Sequence, residues 1–353
     1  MSAHSGHRWP GVPLAVASAV LFGVSTPIAK RLLGDLPPAM LAGLLYLGSG
    51  LGLFLLRRLR SAARPMAEAP IRRRDLPWVG AIVLAGGVIG PLLLMIGLES
   101  APASTASLLL NLEGVFTLGI AWVVFRENAD LRIGLGAAAI LSAALLLSWT
   151  GGTGGVSWRS LAIVGACLAW SIDNNLTRRL SASDPVQLAM IKGLSAGALN
   201  TALAIASGSA RISGFAVAAA MGVGFVGYGL SLVAFILALR HLGTARTGAY
   251  FSFAPFVGAS VSIVAFGEPV TPTFVLAAGL MATGLYLHLA ERHAHEHIHE
   301  PMAHEHRHVH DEHHQHAHGP ADPPGEPHTH WHDHVRLVHS HPHYPDLHHR
   351  HHH

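Results

Sequence analysis

Long apolar stretches recur between residues 11 and 290, and Pro, Gly or clusters of charged residues separate them. Each is about 20 residues long, the length that a helix needs to cross the hydrocarbon core of a bilayer. The pattern therefore predicts an all-α integral membrane fold with ten transmembrane helices. The predicted spans are 11–33, 37–56, 77–98, 102–125, 131–149, 159–180, 185–207, 214–239, 244–266 and 270–290.

The two halves of this region resemble each other. The segment "RENADLRIGLGAAAILSAALLL" after Phe125 parallels "GEPVTPTFVLAAGLMATGLYL" after Phe266, at an offset of 141, and Val20–Leu33 parallels Leu168–Ser181 at an offset of 148. Because five spans per half is an odd number, the halves must be inverted across the membrane, as in many secondary transporters. We therefore divide the chain into a first five-helix repeat (1–149), a Gly-rich connector (150–158), a second five-helix repeat (159–290) and a tail (291–353).

Composition and charge agree with a membrane protein. The chain is 50% hydrophobic and only 12% charged, and its formal net charge of +3 gives no reason to expect a nucleic-acid partner. Arginines are concentrated in alternate loops, above all between the second and third spans, which predicts a cytoplasmic (inner) membrane location with both termini cytoplasmic. No nucleotide-binding loop, hydrolase motif or soluble catalytic domain is evident, so we expect neither an enzyme nor a required cofactor.

The stretch "LAWSIDNNLTRR" places Asp173, Asn174 and Asn175 inside the sixth predicted span. Ionisable residues in the membrane usually face the interior of the bundle and mark a substrate or proton path. Successive helical residues point about 100° apart, so the three cannot share one face. Lys192, in the seventh span, is the obvious partner for Asp173; it could instead pair with Glu113 or bind an anionic substrate. The alternative for Asp173 is a purely structural ion pair, and for the two Asn residues contacts between helices.

A second acidic position is Glu113, in "LLLNLEGVF" at the middle of the fourth span. Apolar surroundings would favour its neutral form, which makes it a candidate proton carrier. Asn111 lies two residues earlier and diverges from it on a helix, whereas Thr117 shares its face. Either Glu113 or Asp173 is a candidate for coupling transport to protons, and the alternative is a structural hydrogen bond.

The tail contains 24 of the 28 histidines. Its composition cannot bury a core, so we predict that it is disordered. Neutral imidazoles bind Ni²⁺, Co²⁺, Zn²⁺ and Cu²⁺, and their dense spacing without cysteine predicts loose, multi-site binding; pH sensing is the alternative. The candidate ligands are His293, His295, His297, His299, His304, His306, His308, His310, His313, His314, His316, His318, His328, His330, His332 and His334.

Two five-helix repeats whose fourth helices end in Phe-x-Glu ("FRE" and "FGE") resemble the EamA-type drug/metabolite transporters over about residues 11 to 290. The resemblance implies alternating access around a central cavity, with the fifth and tenth helices at the periphery. Family fourth helices usually carry a proline past their middle; Pro255 holds that place in the second repeat, whereas Gly114 replaces it in the first. The two glutamates, Glu127 and Glu268, lie at span ends, where a structural cap or loop contact is the favoured interpretation.

Three functions are compatible with these features. The favoured one is an alternating-access exporter of a divalent transition metal, nickel or cobalt, which the tail would collect. The second is an exporter of a small organic metabolite whose tail only buffers or senses metal or pH. The third is a metal-storing or metal-sensing membrane protein without transport. The expected partners are the lipid bilayer and a small solute or metal ion, with a homodimer as a further expectation.

Overall fold

The computed structural model describes residues 11–61, 71–125, 131–149, 156–180, 183–208 and 213–289, together with four short segments of the tail. Within these ranges the part up to residue 289 is helical, as the sequence predicts. The helices are α1 (Gly11–Leu32), α2 (Pro38–Ser61), α3 (Leu76–Ile82), α4 (Gly90–Leu98), α5 (Ala103–Leu109), α6 (Leu112–Phe125), α7 (Leu131–Ser148), α8 (Trp158–Leu180), α9 (Pro185–Ala206), α10 (Gly214–Val223), α11 (Ser231–Phe251), α12 (Ala254–Phe266) and α13 (Pro272–Leu289). A 3₁₀ turn (Arg73–Asp75) precedes α3, and two π-helical segments join α3 to α4 (π1, Val83–Ile89) and α10 to α11 (π2, Gly224–Leu230).

Six described segments are long and apolar enough to cross a membrane. They are Gly11–Leu32, Pro38–Leu59, Arg73–Leu98, Ala103–Val124, Pro185–Ala206 and Gly214–Leu239. Three of the other four predicted spans correspond to shorter apolar helices in α7, α12 and α13. The remaining predicted span is α8, whose apolar run contains Asp173, Asn174 and Asn175.

Local sequence explains where individual helices start and stop. The carboxylate of Asp184 caps α9, because its Oδ1 accepts the backbone N–H groups of Val186 (2.9 Å) and Gln187 (3.0 Å). Pro185 follows at the first helical position, where its missing N–H costs nothing. A glycine ends α12 at its C-terminus. Gly267 follows the last helical residue and has a φ of 66°, the left-handed conformation that terminates many helices.

Helix α11 covers parts of two predicted spans, the eighth and the ninth. A straight helix would separate Phe235 from Phe251 by about 24 Å, at 1.5 Å per residue. Their ring centroids are only 5.0 Å apart, so the chain must reverse its direction between them. This agrees with the sequence-based prediction of two spans joined near residues 240–243.

Corresponding parts of the two halves adopt corresponding structures. The segments π1 and π2 have the same length and are 141 residues apart, at 83–89 and 224–230, the offset that the sequence repeat gives. Helix contacts follow the same correspondence: α1 packs on α11 as α8 packs on α4, and α1 packs on α12 as α8 packs on α6. Two further extensive contacts, α2 with α9 and α7 with α13, join equivalent helices.

Small residues allow α2 and α9 to cross closely. A Cβ placed on Gly193 of α9 would lie 2.5 Å from the backbone N of Gly50 and 2.9 Å from the backbone O of Tyr46, both in α2. Backbone atoms cannot turn aside as a flexible side chain can, so this crossing requires glycine. Close approach through small residues is a usual way for helices to pack in lipid.

The His-rich tail contains strands where the sequence predicts disorder. Strand β1 (Ala294–His299) pairs antiparallel with β4 (Leu337–Pro342), and β2 (Met302–His308) pairs antiparallel with β3 (His328–His334). The spacing of histidine at every second residue has the period of a strand. Disorder of the tail as a whole stays a prediction. Six of the candidate metal ligands lie outside the described residues, as does the Gly-rich connector over 150–155; they are His293, His310, His313, His314, His316 and His318.

The Gly50–Gly193 crossing gives a direct test of the packing. We expect Gly193→Ala to lower the melting temperature of the protein in detergent, because overpacking of this kind costs about 1–3 kcal/mol. Gly119→Ala in α6 is the matched control, since a Cβ there meets nothing within 4 Å. A Gly193→Ala protein as stable as the control would contradict the crossing geometry.

Candidate functional site

A cavity lies between α1, α2, α6, α8, α9, π2 and α11, in the interior of the bundle. The space that the centre of a water molecule can occupy in this cavity is about 70 Å³. That is enough for a small solute or several waters. Its polar wall contains Glu113, Asp173, Asn174 and Lys192. The sequence predicts these four residues as substrate or coupling residues, and the structure brings them together.

Asp173 and Lys192 form an ion pair on this wall. Each residue is 4% exposed, so the pair is buried between α8 and α9. The second oxygen of Asp173 accepts a hydrogen bond from the hydroxyl of Thr177, one turn along α8, at 3.2 Å. A buried ion pair is stable only when its remaining polar atoms are also satisfied, and Thr177 contributes to that here.

Glu113 contacts α8 through the residue next to Asp173. Its Oε1 accepts a hydrogen bond of 2.6 Å from the Asn174 side-chain amide, and its backbone O accepts one of 2.8 Å from the hydroxyl of Ser171. Both donors belong to α8, so two bonds fix the start of α6 against that helix. Neighbouring Asp173 and Asn174 point in different directions, as the sequence predicts, and each contacts a different helix.

A break in the fourth predicted span explains the position of Glu113. The span consists of α5 and α6, and Glu113 lies in the first turn of α6 rather than in the middle of a continuous helix. The positive end of a helix dipole favours a carboxylate at that position. The equivalent break in the other half precedes α12, where Pro255 occupies the first turn.

Two of the predicted site residues lie elsewhere. Asn111 is 5% exposed and donates to the backbone O of Leu108 at 3.0 Å and to the sulfur of Met281 in α13 at 3.7 Å. It does not line the cavity, because its position two residues before Glu113 turns it to another side of the chain. Asn175 donates to the backbone O of Ser171 at 2.8 Å, so within the described contacts it serves its own helix.

Aromatic side chains that the sequence did not single out form a wall of the cavity. Phe22 contacts Trp170 (ring centroids 5.9 Å apart), Tyr228 (5.6 Å) and Phe251 (5.4 Å). Tyr46 and Phe235 extend the cluster, through contacts with Tyr228 and Phe251 respectively. One signal was available, since the repeat alignment pairs Phe22 with Trp170, but it gave no indication that both face a cavity.

Backbone carbonyls of π1 hold several of these side chains in place. The O of Gly86 accepts hydrogen bonds from the Tyr46 hydroxyl (2.6 Å) and the Trp170 indole N–H (3.0 Å), and the O of Gly87 accepts one from the Asn200 amide (2.9 Å). A π-helical turn often occurs at functional sites. Here it supplies the carbonyl that orients two residues of the aromatic wall, Tyr46 and Trp170.

The glutamate of "FGE" has the structural role that the sequence analysis favours. The carboxylate of Glu268 accepts the backbone N–H groups of Ala103 (2.7 Å) and Ser104 (2.8 Å), at the start of α5. It therefore ties the end of α12 in one half to α5 in the other. Its counterpart Glu127 lies outside the described residues.

A bundle of apolar helices around a charged and aromatic cavity is the arrangement of a membrane transporter. The sequence model of the EamA-like transporter family matches residues 9–149 and again residues 157–290. The chain therefore belongs to the EamA-like transporter family, and it is a multi-pass membrane protein.

Individual relatives agree with this assignment. An uncharacterized transporter of Methanothermobacter thermautotrophicus is 27% identical over 288 residues, which cover 77% of this chain and 84% of the relative. A probable terminal-alkyne amino-acid exporter of Streptantibioticus cattleyicolor is 27% identical over 236 residues, covering 64% of this chain and 77% of the relative. A solved crystal structure that covers 78% of this chain and 94% of its own matches the fold with a TM-score of 0.59 at 19% identity.

The ion pair can be tested by removing its members singly and together. Lys192→Met leaves Asp173 buried without a cation, and we expect a loss of about 3–5 kcal/mol in stability, less where the carboxyl takes up a proton. Adding Asp173→Asn removes the unpaired charge, so the double variant should melt at a higher temperature than Lys192→Met alone. Arg74→Met, which removes an exposed charge, is the control. A double variant that melts at or below Lys192→Met would contradict this account.

Proposed function

We propose that this protein is an alternating-access secondary transporter that exports a small organic solute through the central cavity. The observation that carries the proposal is the composition of the cavity wall, where six aromatic side chains surround Glu113 and the Asp173–Lys192 pair. Apolar and aromatic lining with a few placed polar groups is typical of sites for small organic molecules. The amino-acid exporter among the relatives supports the same class of cargo.

The ten-span arrangement in two inverted five-helix repeats belongs to this proposal. Its support is the shared offset of π1 and π2, the corresponding helix contacts, and the two matches to one family model. Alternation between the two halves would expose the cavity to one side of the membrane and then to the other. We assign the protein to the cytoplasmic membrane with both termini in the cytoplasm, because that topology agrees with the distribution of arginine.

A metal cargo, which the sequence analysis favours, receives little support from the cavity. Among the described residues no group of three or more His, Cys, Asp or Glu side chains could hold a metal ion. Asp173 is already neutralised by Lys192, so it is not available as a ligand for a divalent cation. Binding of Ni²⁺, Co²⁺, Zn²⁺ or Cu²⁺ by the tail stays a prediction, and in this proposal it serves buffering or regulation rather than transport.

Expression in a bacterial host separates the two cargoes. The proteins to compare are the full chain, a version ending at residue 292, Asp173→Asn and Glu113→Gln. We expect the full chain to increase the amount of a small organic solute in the medium, the shortened version to match it, and both point variants to lose most of the effect. Mass spectrometry of medium and cells measures organic solutes, nickel and cobalt together.

Membrane levels of each variant, measured by immunoblot, serve as the control for expression. Cellular nickel and cobalt should be the same in all strains. A fall in either metal that requires Asp173 would contradict the proposal and favour metal export. Unchanged solutes and unchanged metals in the presence of normal membrane levels would contradict both.

A further inference from the structure

The charges that face the cavity do not balance. Asp173 and Lys192 neutralise each other, whereas Glu113 forms no ion pair within the described part of the chain. Its hydrogen-bond partner, the Asn174 amide, is neutral and engages one carboxylate oxygen only. Apolar surroundings favour the neutral form of Glu113, whereas a cation beside it favours the ionised form. With both carboxylates ionised, the three side chains carry one net negative charge, which a cationic occupant would balance.

The aromatic wall favours the same kind of occupant. Phe22 contacts Trp170 and Tyr228 edge to face, and all three rings line the cavity. Aromatic faces attract a cation, and groups of several such rings recognise ammonium ions in proteins, with stronger attraction where water is excluded. The rings also accommodate an apolar body, so charge and apolar surface can be bound together.

A buried hydroxyl in the cavity lacks a well-formed hydrogen bond within the described part of the chain. Tyr228 is 7% exposed and lines the cavity, and its OH has no partner of ordinary hydrogen-bond geometry, although the Ser25 hydroxyl lies near enough to interact with it. Leaving such a group unpaired costs about 1–3 kcal/mol. A ligand with a polar N–H could satisfy it, and Ser49 and Ser231 add further hydroxyl groups to the lining.

These observations disfavour the other charge types. A substrate carboxylate would have to compete with Asp173 for Lys192, while Glu113 would repel it. A divalent metal lacks the required cluster of ligands among the described residues. The ammonium group of a zwitterion would satisfy Glu113, but its carboxylate would still have to displace Asp173 from Lys192. Thr177 donates a hydrogen bond to the other Asp173 oxygen and so helps to hold Asp173 in place.

We propose that the cavity binds a small organic ammonium ion, with the Glu113 carboxylate as its counter-ion, the rings of Phe22, Trp170 and Tyr228 around it, and the Tyr228 hydroxyl as a hydrogen-bond partner. This inference rests on the proposed function, because it names the class of solute that the transporter carries. Asn174 is a positioning residue in this arrangement, since it holds one oxygen of Glu113 and leaves the other for the ligand. The Asp173–Lys192 pair makes the adjoining wall neutral and polar.

Binding of four compounds that share a 3-methylbutyl group tests the charge that the cavity prefers. Isoamylamine is a cation at neutral pH, leucine is a zwitterion, isocaproate is an anion and isoamyl alcohol is neutral. The full chain is reconstituted in nanodiscs, and binding is followed by isothermal titration calorimetry. We expect isoamylamine to bind about tenfold or more tightly than each of the others, since a charge-assisted contact with Glu113 is worth about 1.5–3 kcal/mol.

Three variants identify the groups responsible. Glu113→Gln keeps the shape of the side chain and its Asn174 contact but removes the charge. It should therefore lower the affinity for isoamylamine about tenfold and leave the affinity for isoamyl alcohol unchanged. Tyr228→Phe should lower the affinity for isoamylamine only a few-fold, because it removes the hydroxyl but keeps the ring. Asp35→Asn, which removes an exposed carboxylate outside the cavity, should leave every affinity unchanged. Size-exclusion profiles and circular dichroism of each protein check that it is folded.

Several results would overturn the inference. The first is tighter binding of leucine or isocaproate than of isoamylamine. The second is an affinity of the Glu113→Gln protein for isoamylamine equal to that of the wild type. The third is an absence of saturable isoamylamine binding by folded wild-type protein. Counterflow in proteoliposomes separates this inference from the proposed function. Flux of leucine without flux of isoamylamine retains the transporter but rejects the ammonium site, whereas saturable amine binding without flux of any of the four compounds retains the site and rejects transport of this class.

Discussion

The buried Asp173–Lys192 ion pair is the contact on which the arrangement of the cavity wall depends. It joins α8 to α9, and π1 passes directly beside Asp173. A Cβ on Gly86 of π1 would lie 2.6 Å from the Cβ of Asp173, so glycine is needed at that position. Since an unpaired charge in this environment would cost several kcal/mol, the relative placement of α8, α9 and π1 depends on the pair remaining intact.

The equivalent contact in the other half shows what is common to both halves and what is not. Gly227 of π2 corresponds to Gly86, and a Cβ there would lie 2.6 Å from the Cβ of Ser25, the residue that the repeat aligns with Asp173. The close approach of a π-helical glycine is therefore a shared feature of the scaffold. Of these two residues, only Asp173 carries a charge. Ser25 is uncharged, and its hydroxyl donates a hydrogen bond of 2.6 Å to the backbone O of Phe22.

Much of the fold could be predicted from the sequence, because burial in lipid imposes long apolar runs and loop charges that are easy to recognise. The partnership of Asp173 with Lys192 also followed, since two opposite charges in neighbouring spans have few other ways to be stable. The aromatic wall could not be predicted, because Phe22 or Tyr46 in an apolar span looks the same whether it faces lipid or a cavity. The break before Glu113 was missed for a related reason: the bonds that fix it come from Ser171 and Asn174, about sixty residues away in sequence.

Asymmetry between similar halves has a consequence for how a solute is held. The scaffold contacts, such as the glycines of π1 and π2, occur in both halves and are suited to a motion that exchanges their roles. The charged groups come from α6, α8 and α9, whereas π2 and α11 contribute rings and the Tyr228 hydroxyl. The lining from α1, α2, π2 and α11 is uncharged and supplies five of the six rings, which form the aromatic face of the cavity. A ligand with one charged end and one apolar end would place its charged end toward α6, α8 and α9. An occupant that is polar all round, such as a hydrated metal ion, would leave the aromatic face without a matching surface.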